Sequence, residues 1–197
     1  MPTSTYDDLL ARVRALVTDL ARPPVVAIAG HGGAGKSTLA LRLAADLGVT
    51  EDQVVGTDGL YARTDTERAA MWDLHDWPAL VDLLTRVRAE PTPERLAYRY
   101  RWYDGSEGDV DEPMPPVVVV EGIRVVRPEL MHLVDLAVWI DLDPVAAAVR
   151  AKARNLAQGD SEDELALWDT KWVPEGIEYQ RLVRPEELAD VVVRSEG

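Results

Sequence analysis

Gly30-His31-Gly32-Gly33-Ala34-Gly35-Lys36-Ser37 follows the apolar run Pro24-Val25-Val26-Ala27-Ile28-Ala29 and opens the helical pattern Thr38-Leu39-Ala40-Leu41-Arg42-Leu43. The order is strand, glycine loop, helix. Glycines at these positions let successive backbone N–H groups turn inward around the phosphates of a nucleotide, and the positive end of the following helix faces the same anion. Gly30, Gly32, Gly33, Ala34, Gly35, Lys36, Ser37 and Thr38 are therefore expected to cradle ATP. Lys36 would reach the β- and γ-phosphates, and the Ser37 hydroxyl would hold Mg²⁺. At ordinary glycine usage of about 7 %, such a loop arises by chance in under roughly one chain in a hundred of this length.

Composition narrows the setting. The 197 residues suit one α/β domain with a full core, spanning 1–197, with residues 1–22 as a helix ahead of it. A formal net charge of −14 argues against a nucleic-acid or anionic-membrane partner, because either demands a basic face. There are no cysteines, so disulfides and thiolate chemistry are excluded. Asp7, Asp8 and Asp19 among the N-terminal leucines are unlike a signal peptide, and no apolar run approaches the roughly 18 residues that span a bilayer. A cytoplasmic location is the expectation, with association of like copies left open.

Leu9, Leu10, Val13, Leu16, Val17 and Leu20 recur at helical spacing, so a helix is predicted over 5–21 with Thr3, Ser4 or Thr5 as cap. Strand one should run over 25–29 and the loop helix on to Leu47, closed by Gly48. Gln53 to Thr57 reads as a second strand delivering Asp58-Gly59-Leu60-Tyr61 at its carboxyl end, where open parallel sheets bind ligands. Residues 65–90 look helical in two pieces split near Trp77-Pro78. Trp72, His75 and Trp77 at that break read as packing, as do His31 and His132. From Pro91 to Pro116, Tyr98, Tyr100, Trp102 and Tyr103 alternate with Arg95, Arg99 and Arg101 as on an exposed strand or hairpin. An acidic glycine-containing loop should follow over 104–112.

Val117 to Val120 is an unbroken β-branched run, the pattern of a strand buried on both faces. It ends in Glu121-Gly122, a carboxylate placed beside the glycine loop, where it can hold the Mg²⁺ shell. Leu136 to Ile140 forms the fourth strand. Asp143 and Pro144 then read as the cap and first turn of a helix to about Leu156. Arg150 and Arg154 lie four apart on that helix as candidates for holding phosphate. Gln158 to Ser161 breaks it, and a second helix carrying Trp168 and Trp172 starts near Glu162, suggesting a lid over about 150–172. A fifth strand is expected over 189–193.

Taken together, the chain from Val25 on resembles the uridine kinase-like P-loop kinases, relatives of pantothenate kinase and phosphoribulokinase. The resemblance rests on the loop, Asp58-Gly59-Leu60-Tyr61, Glu121-Gly122-Ile123, Asp141-Leu142-Asp143 before the Arg150 and Arg154 helix, and Pro174, Tyr179 and Pro185 ahead of Ala189 to Val192. It implies a P-loop NTPase fold: an α/β three-layer sandwich with a five-stranded parallel sheet and a helical lid. It also implies transfer of the γ-phosphoryl of ATP to a small-molecule hydroxyl, uridine or cytidine first, with Asp58 and Lys36 catalytic and Asp58 joining Ser37 and Glu121 at the Mg²⁺. Asp58, Tyr61, Tyr100 and Trp102 would meet the acceptor. Two departures fall on the acceptor side. Arg101 stands where the family's Tyr-Asp-Phe/Trp segment has an acid, and Gly105 and Ser106 occupy the region of a family histidine. Ala151 and Asn155 dilute the lid's charge. Pantothenate-like alcohols, other nucleosides and sugars stay open as acceptors, as does a nucleotide-binding switch on the same fold.

Overall fold

A computed structural model describes residues 3–62 and 74–195. Trp72 and the first of the two helical pieces expected before Pro78 lie outside the described residues. The chain opens with α1 (Tyr6–Asp19), which starts on a reciprocal capping box between Thr5 and Asp8. Next come β1 (Val25–Gly30), α2 (Lys36–Asp46) and a very short β2 (Val55–Gly56). The expected strand over 53–57 is trimmed at both ends by single 3₁₀ turns. Thr50 and Gln53 cap each other in the first, and Thr57–Gly59 forms the second.

After α3 (Trp77–Val87), capped by Asp76, the chain forms an antiparallel hairpin of β3 (Arg95–Arg101) and β4 (Glu107–Pro113). The acidic stretch expected as a loop is thus mostly strand. Its carboxylates answer arginines on the facing strand: Asp111 pairs diagonally with Arg95, and Glu107 with Arg101 directly opposite and with Arg99. Acid that reads as solvated loop in isolation becomes half of a cross-strand charge ladder.

β5 (Val118–Glu121), a short α4 (Pro128–Met131), β6 (Leu136–Asp141) and α5 (Pro144–Gln158) follow. Asp143 caps α5 by accepting from Val145 and Ala146, as its position before Pro144 predicts. Gly159 ends it in the left-handed region at φ 98°. α6 (Glu162–Leu167) then passes through a π turn at Trp168–Trp172 into α7 (Val173–Val183). A brief α8 (Pro185–Leu188) leads to β7 (Val191–Arg194).

The five strands form a parallel sheet in the order β2-β5-β1-β6-β7. Its faces are built by alternation within strands that are apolar throughout. Val25, Ala27 and Ala29 pack with Leu80, Leu83, Leu84, Trp139 and Tyr179 on one side. Val26 and Ile28 pack with Leu9, Val13, Ala40 and Leu43 on the other. Helices therefore cover both faces, and the carboxyl ends of β1, β5 and β2 lie side by side. Asp135 ties this arrangement at the opposite edge, accepting from Arg22, Arg88 and the Val25 N–H at 2.7–2.8 Å. Among the described residues no helix is long and apolar enough to cross a membrane.

Candidate active site

The loop between β1 and α2 curls as the glycines require. Gly33 and Gly35 take φ of 87° and 96°, and a side-chain carbon on Gly33 would sit 2.1 Å from the Ala147 carbonyl oxygen. Gly32 lies under the Trp168 ring, 2.7 Å from where its own side-chain carbon would be. The loop is thus clamped between α5 and the π turn, and only glycine fits at either position.

Lys36 is buried, and its ammonium donates to the His31 carbonyl at 3.1 Å, closing the loop on itself. Burial pushes Lys36 below the ordinary lysine range, opposed by Glu121 and Asp58 and assisted by Arg154. Those three charges therefore converge on one ammonium. Ser37 donates its hydroxyl to Glu121 at 3.0 Å. Burial raises the Glu121 carboxyl, countered by Lys36 and the Ser37 hydroxyl and reinforced by Asp58. Glu121 owes its place to register, since it lies opposite Ile28 on β1 and Gly56 on β2. Gly122 must be glycine, because a side-chain carbon there would meet the Thr57 hydroxyl at 1.9 Å. That contact sets the 3₁₀ turn carrying Asp58 against the end of β5.

A cavity of about 940 Å³ is lined by Lys36, Ser37 and Asp58, and Glu121 is tied to it through the Ser37 hydroxyl. The loop from Gly30 to Thr38 forms its floor, Asp58 and Tyr61 line one end, and Arg150, Arg154, Trp168 and Trp172 come from the lid. The expected phosphate, metal and catalytic residues are thereby brought to one place. Ser37 and Glu121 offer oxygen ligands that suit Mg²⁺, which keeps several positions for water and phosphate and needs few carboxylates. The two lid arginines part company. Arg154 bears on Lys36, whereas Arg150 donates to the Ser195 hydroxyl at 2.7 Å, toward the end of β7.

Of the four residues expected to meet the acceptor, Asp58 and Tyr61 line this cavity and Tyr100 and Trp102 do not. Tyr61 stacks on His75, ring centroids 5.1 Å apart. Tyr100 lies across the hairpin over Gly108 and faces a smaller cavity of about 230 Å³, shared with Tyr61, Tyr98 and Arg86. Trp102 lines neither cavity and is 47 % exposed, although its ring comes near Gly59. Arg101 is held by Glu107 and donates to the Ala62 carbonyl at 3.0 Å, so it braces the Tyr61 segment.

Several wall residues are not among the site residues expected from the sequence. Arg124, 5 % exposed and paired with Glu175 at 3.0 Å, contributes to the wall with Tyr179, whose hydroxyl donates to the Val126 carbonyl at 2.5 Å. His31 meets Gln180 at 3.0 Å and the edge of Trp139, packing contacts made from the wall of the cavity. A charged residue three positions past a buried strand could have flagged Arg124. Nothing in the chain order could have flagged Thr3 to Tyr6, which line the far end of the cavity.

No family model matches the chain. It is 27 % identical over 187 residues to a uridine kinase of Limosilactobacillus reuteri (strain DSM 20016), covering 89 % of this chain and 85 % of that one. A uridine kinase of Geobacillus kaustophilus (strain HTA426) is 25 % identical over 186 residues, covering 89 % and 88 %. Among solved structures, a putative fructose transport system kinase from Silicibacter sp. TM1040 superposes with a TM-score of 0.73 at 20 % identity, over 96 % of this chain and 98 % of that one. A possible uridine kinase from Bacillus stearothermophilus gives 0.59 at 18 %, over 94 % and 99 %. The chain thus resembles the uridine kinase-like P-loop kinases along nearly its whole length, and its fold is theirs. The likeness supports a phosphotransferase.

Proposed function

We propose that this chain transfers the γ-phosphoryl group of ATP to a hydroxyl of a nucleoside, uridine or cytidine first. The observation that carries the reading is the convergence of Lys36, the Ser37–Glu121 hydrogen bond and Asp58 at the adjacent ends of three strands. Phosphoryl transfer asks mainly for alignment and charge stabilisation. The loop amides and Lys36 hold the donor phosphates, and Arg154 adds positive charge from the lid. Asp58 orients the acceptor hydroxyl and takes its proton as the new bond forms. Mg²⁺, held by Ser37 and Glu121, would neutralise charge on the phosphate oxygens. Trp168 and Trp172 exclude water from above the loop. A cytoplasmic setting, where ATP and nucleosides meet, goes with this activity.

A sugar hydroxyl is the second reading, favoured by Arg101, which is spent on Glu107 and Ala62 in place of the acid the resemblance expects. The test is ADP release by the wild-type protein with Mg·ATP and, separately, uridine, cytidine, fructose or pantothenate. Release that depends on uridine or cytidine supports the nucleoside kinase, and dependence on fructose alone supports the second reading. Slow release indifferent to every acceptor refutes both in favour of a switch.

A further inference from the structure

The cavity does not end at the phosphate loop. It continues along α2 to Arg42 and is lined there by Thr3, Ser4, Thr5 and Tyr6, with Ser195 just past the end of the strand beside them. A triphosphate held from Gly33 to Thr38 with its γ-phosphoryl toward Asp58 has its nucleoside at the other end, because attacking and leaving oxygens lie roughly in line. That other end is the N-terminal segment.

We infer that Thr3–Tyr6 form the base-side wall of the donor site, so that this chain recognises the base and not the phosphates alone. The inference rests on the kinase reading above and extends its donor side. The segment is held at both ends. The Ser4 N–H donates to the Val192 carbonyl at 2.8 Å, pairing the segment with β7. Tyr6 donates its hydroxyl to Asp46 at 2.5 Å, and the Arg42 guanidinium lies 3.6 Å over the Tyr6 ring. Behind it, Leu9 and Val13 are fully buried against the sheet.

The chemistry of this end suits a purine or pyrimidine. Guanidinium planes from Arg42 and Arg150 stack on flat π faces, while the hydroxyls of Thr3, Ser4 and Ser195 can meet ring nitrogens and exocyclic groups. Protection of an edge strand accounts for the Ser4 pairing with β7. It does not account for the Tyr6–Arg42–Asp46 clamp, which fastens the segment to the phosphate-loop helix.

Inorganic tripolyphosphate separates the two halves of the site, since it fills the phosphate loop and has no base. Calorimetric Kd values for Mg·ATP and Mg·tripolyphosphate are measured on the full chain, on Arg42→Ala and on Ser4→Pro, with melting curves for each. Wild type should bind ATP more tightly than tripolyphosphate. Each variant should lose about tenfold in ATP affinity, the size of one stacking contact, and less than about twofold for tripolyphosphate. ATP affinity within twofold of wild type in both variants overturns the inference, as does parallel weakening of both ligands, which would make the segment a support of the fold. Equal wild-type affinity for ATP and tripolyphosphate also overturns it and leaves the kinase reading standing. A wild type that binds neither ligand refutes the kinase reading along with it.

Discussion

Methionine at position 36 would remove the charge at the centre of the site while keeping most of the side chain's length and volume. Lys36 lies among Glu121, Asp58 and Arg154 with only 9 % of its surface exposed, so water is a poor substitute for its ammonium as charge builds on the transferring group. Loss of one such donor costs about 10²–10³ in kcat, or roughly 3–4 kcal/mol. Stability should behave differently. The variant loses the hydrogen bond to the His31 carbonyl, worth about 1 kcal/mol. It also sheds an ammonium that is worse off in the fold than in water, an effect of the opposite sign. At roughly 2–4 °C per kcal/mol for a chain of this size, Tm should stay within about 4 °C of wild type. The pH dependence has a definite sign. The folded state binds the Lys36 proton less tightly than the unfolded chain, so the wild type carries a penalty at neutral pH that fades as pH rises toward 10.5. Lys36→Met should lack that rise. Steady-state kinetics with calorimetric melting at pH 7 and pH 10 checks all three. A kcat within about fivefold of wild type would refute the reasoning, and so would a Tm fall beyond roughly 6 °C, since lost activity would then reflect lost structure.

Asp58→Asn keeps the shape of the turn after β2 and removes its charge, so kcat should fall by roughly 10²–10⁴ with Tm and ATP affinity little changed; a change of only a few-fold would reduce Asp58 to a turn former. Tyr61→Ala should raise the acceptor KM and leave that for ATP nearly unchanged, while Trp102→Ala, outside both cavities, should move either constant by less than about twofold. If Trp102→Ala raises the acceptor KM as much as Tyr61→Ala, the acceptor reaches further onto the hairpin than the cavity indicates. Burial works to raise the Asp135 carboxyl, but hydrogen bonds from Arg22, Val25 and Arg88 outweigh it and bring it down to about 2. The stability this supplies is present above the ordinary value of 3.8 and is lost as pH falls toward about 2. At 1.36 kcal/mol per unit and with allowance for solvent screening, it is about 1–2 kcal/mol. Asp135→Asn should therefore lower urea stability at pH 7 by that amount and flatten its decline between pH 4 and pH 2; an unchanged acid limb would remove Asp135 as the tie.

The parts of the site that follow one another in the chain were legible before any coordinates. Gly30 to Thr38 is a contiguous motif whose glycines, lysine and serine each have a local reason. Glu121 and Asp58 were legible because a carboxylate at the end of an apolar run falls at the ligand edge of any parallel sheet. The strands were also evident, but which face each residue took was not, since Val25 to Ala29 is apolar on both sides and offers no alternation to read. The acidic run that became β4 looked like solvent-facing loop because its stabilising arginines are on another strand. Tyr100 and Trp102 looked equivalent to Tyr61, yet the hairpin's register turned Tyr100 over Gly108 and left Trp102 at the surface. The glycine loop between strand and helix and the α/β layering follow from the chain alone, because both arise from backbone geometry and short-range pattern. Tertiary structure alone decided that Trp168 covers Gly32, that Arg150 and Arg154 serve opposite ends of the cavity, and that residues 3–6 reach the site, because each depends on side chains meeting across elements far apart in the chain.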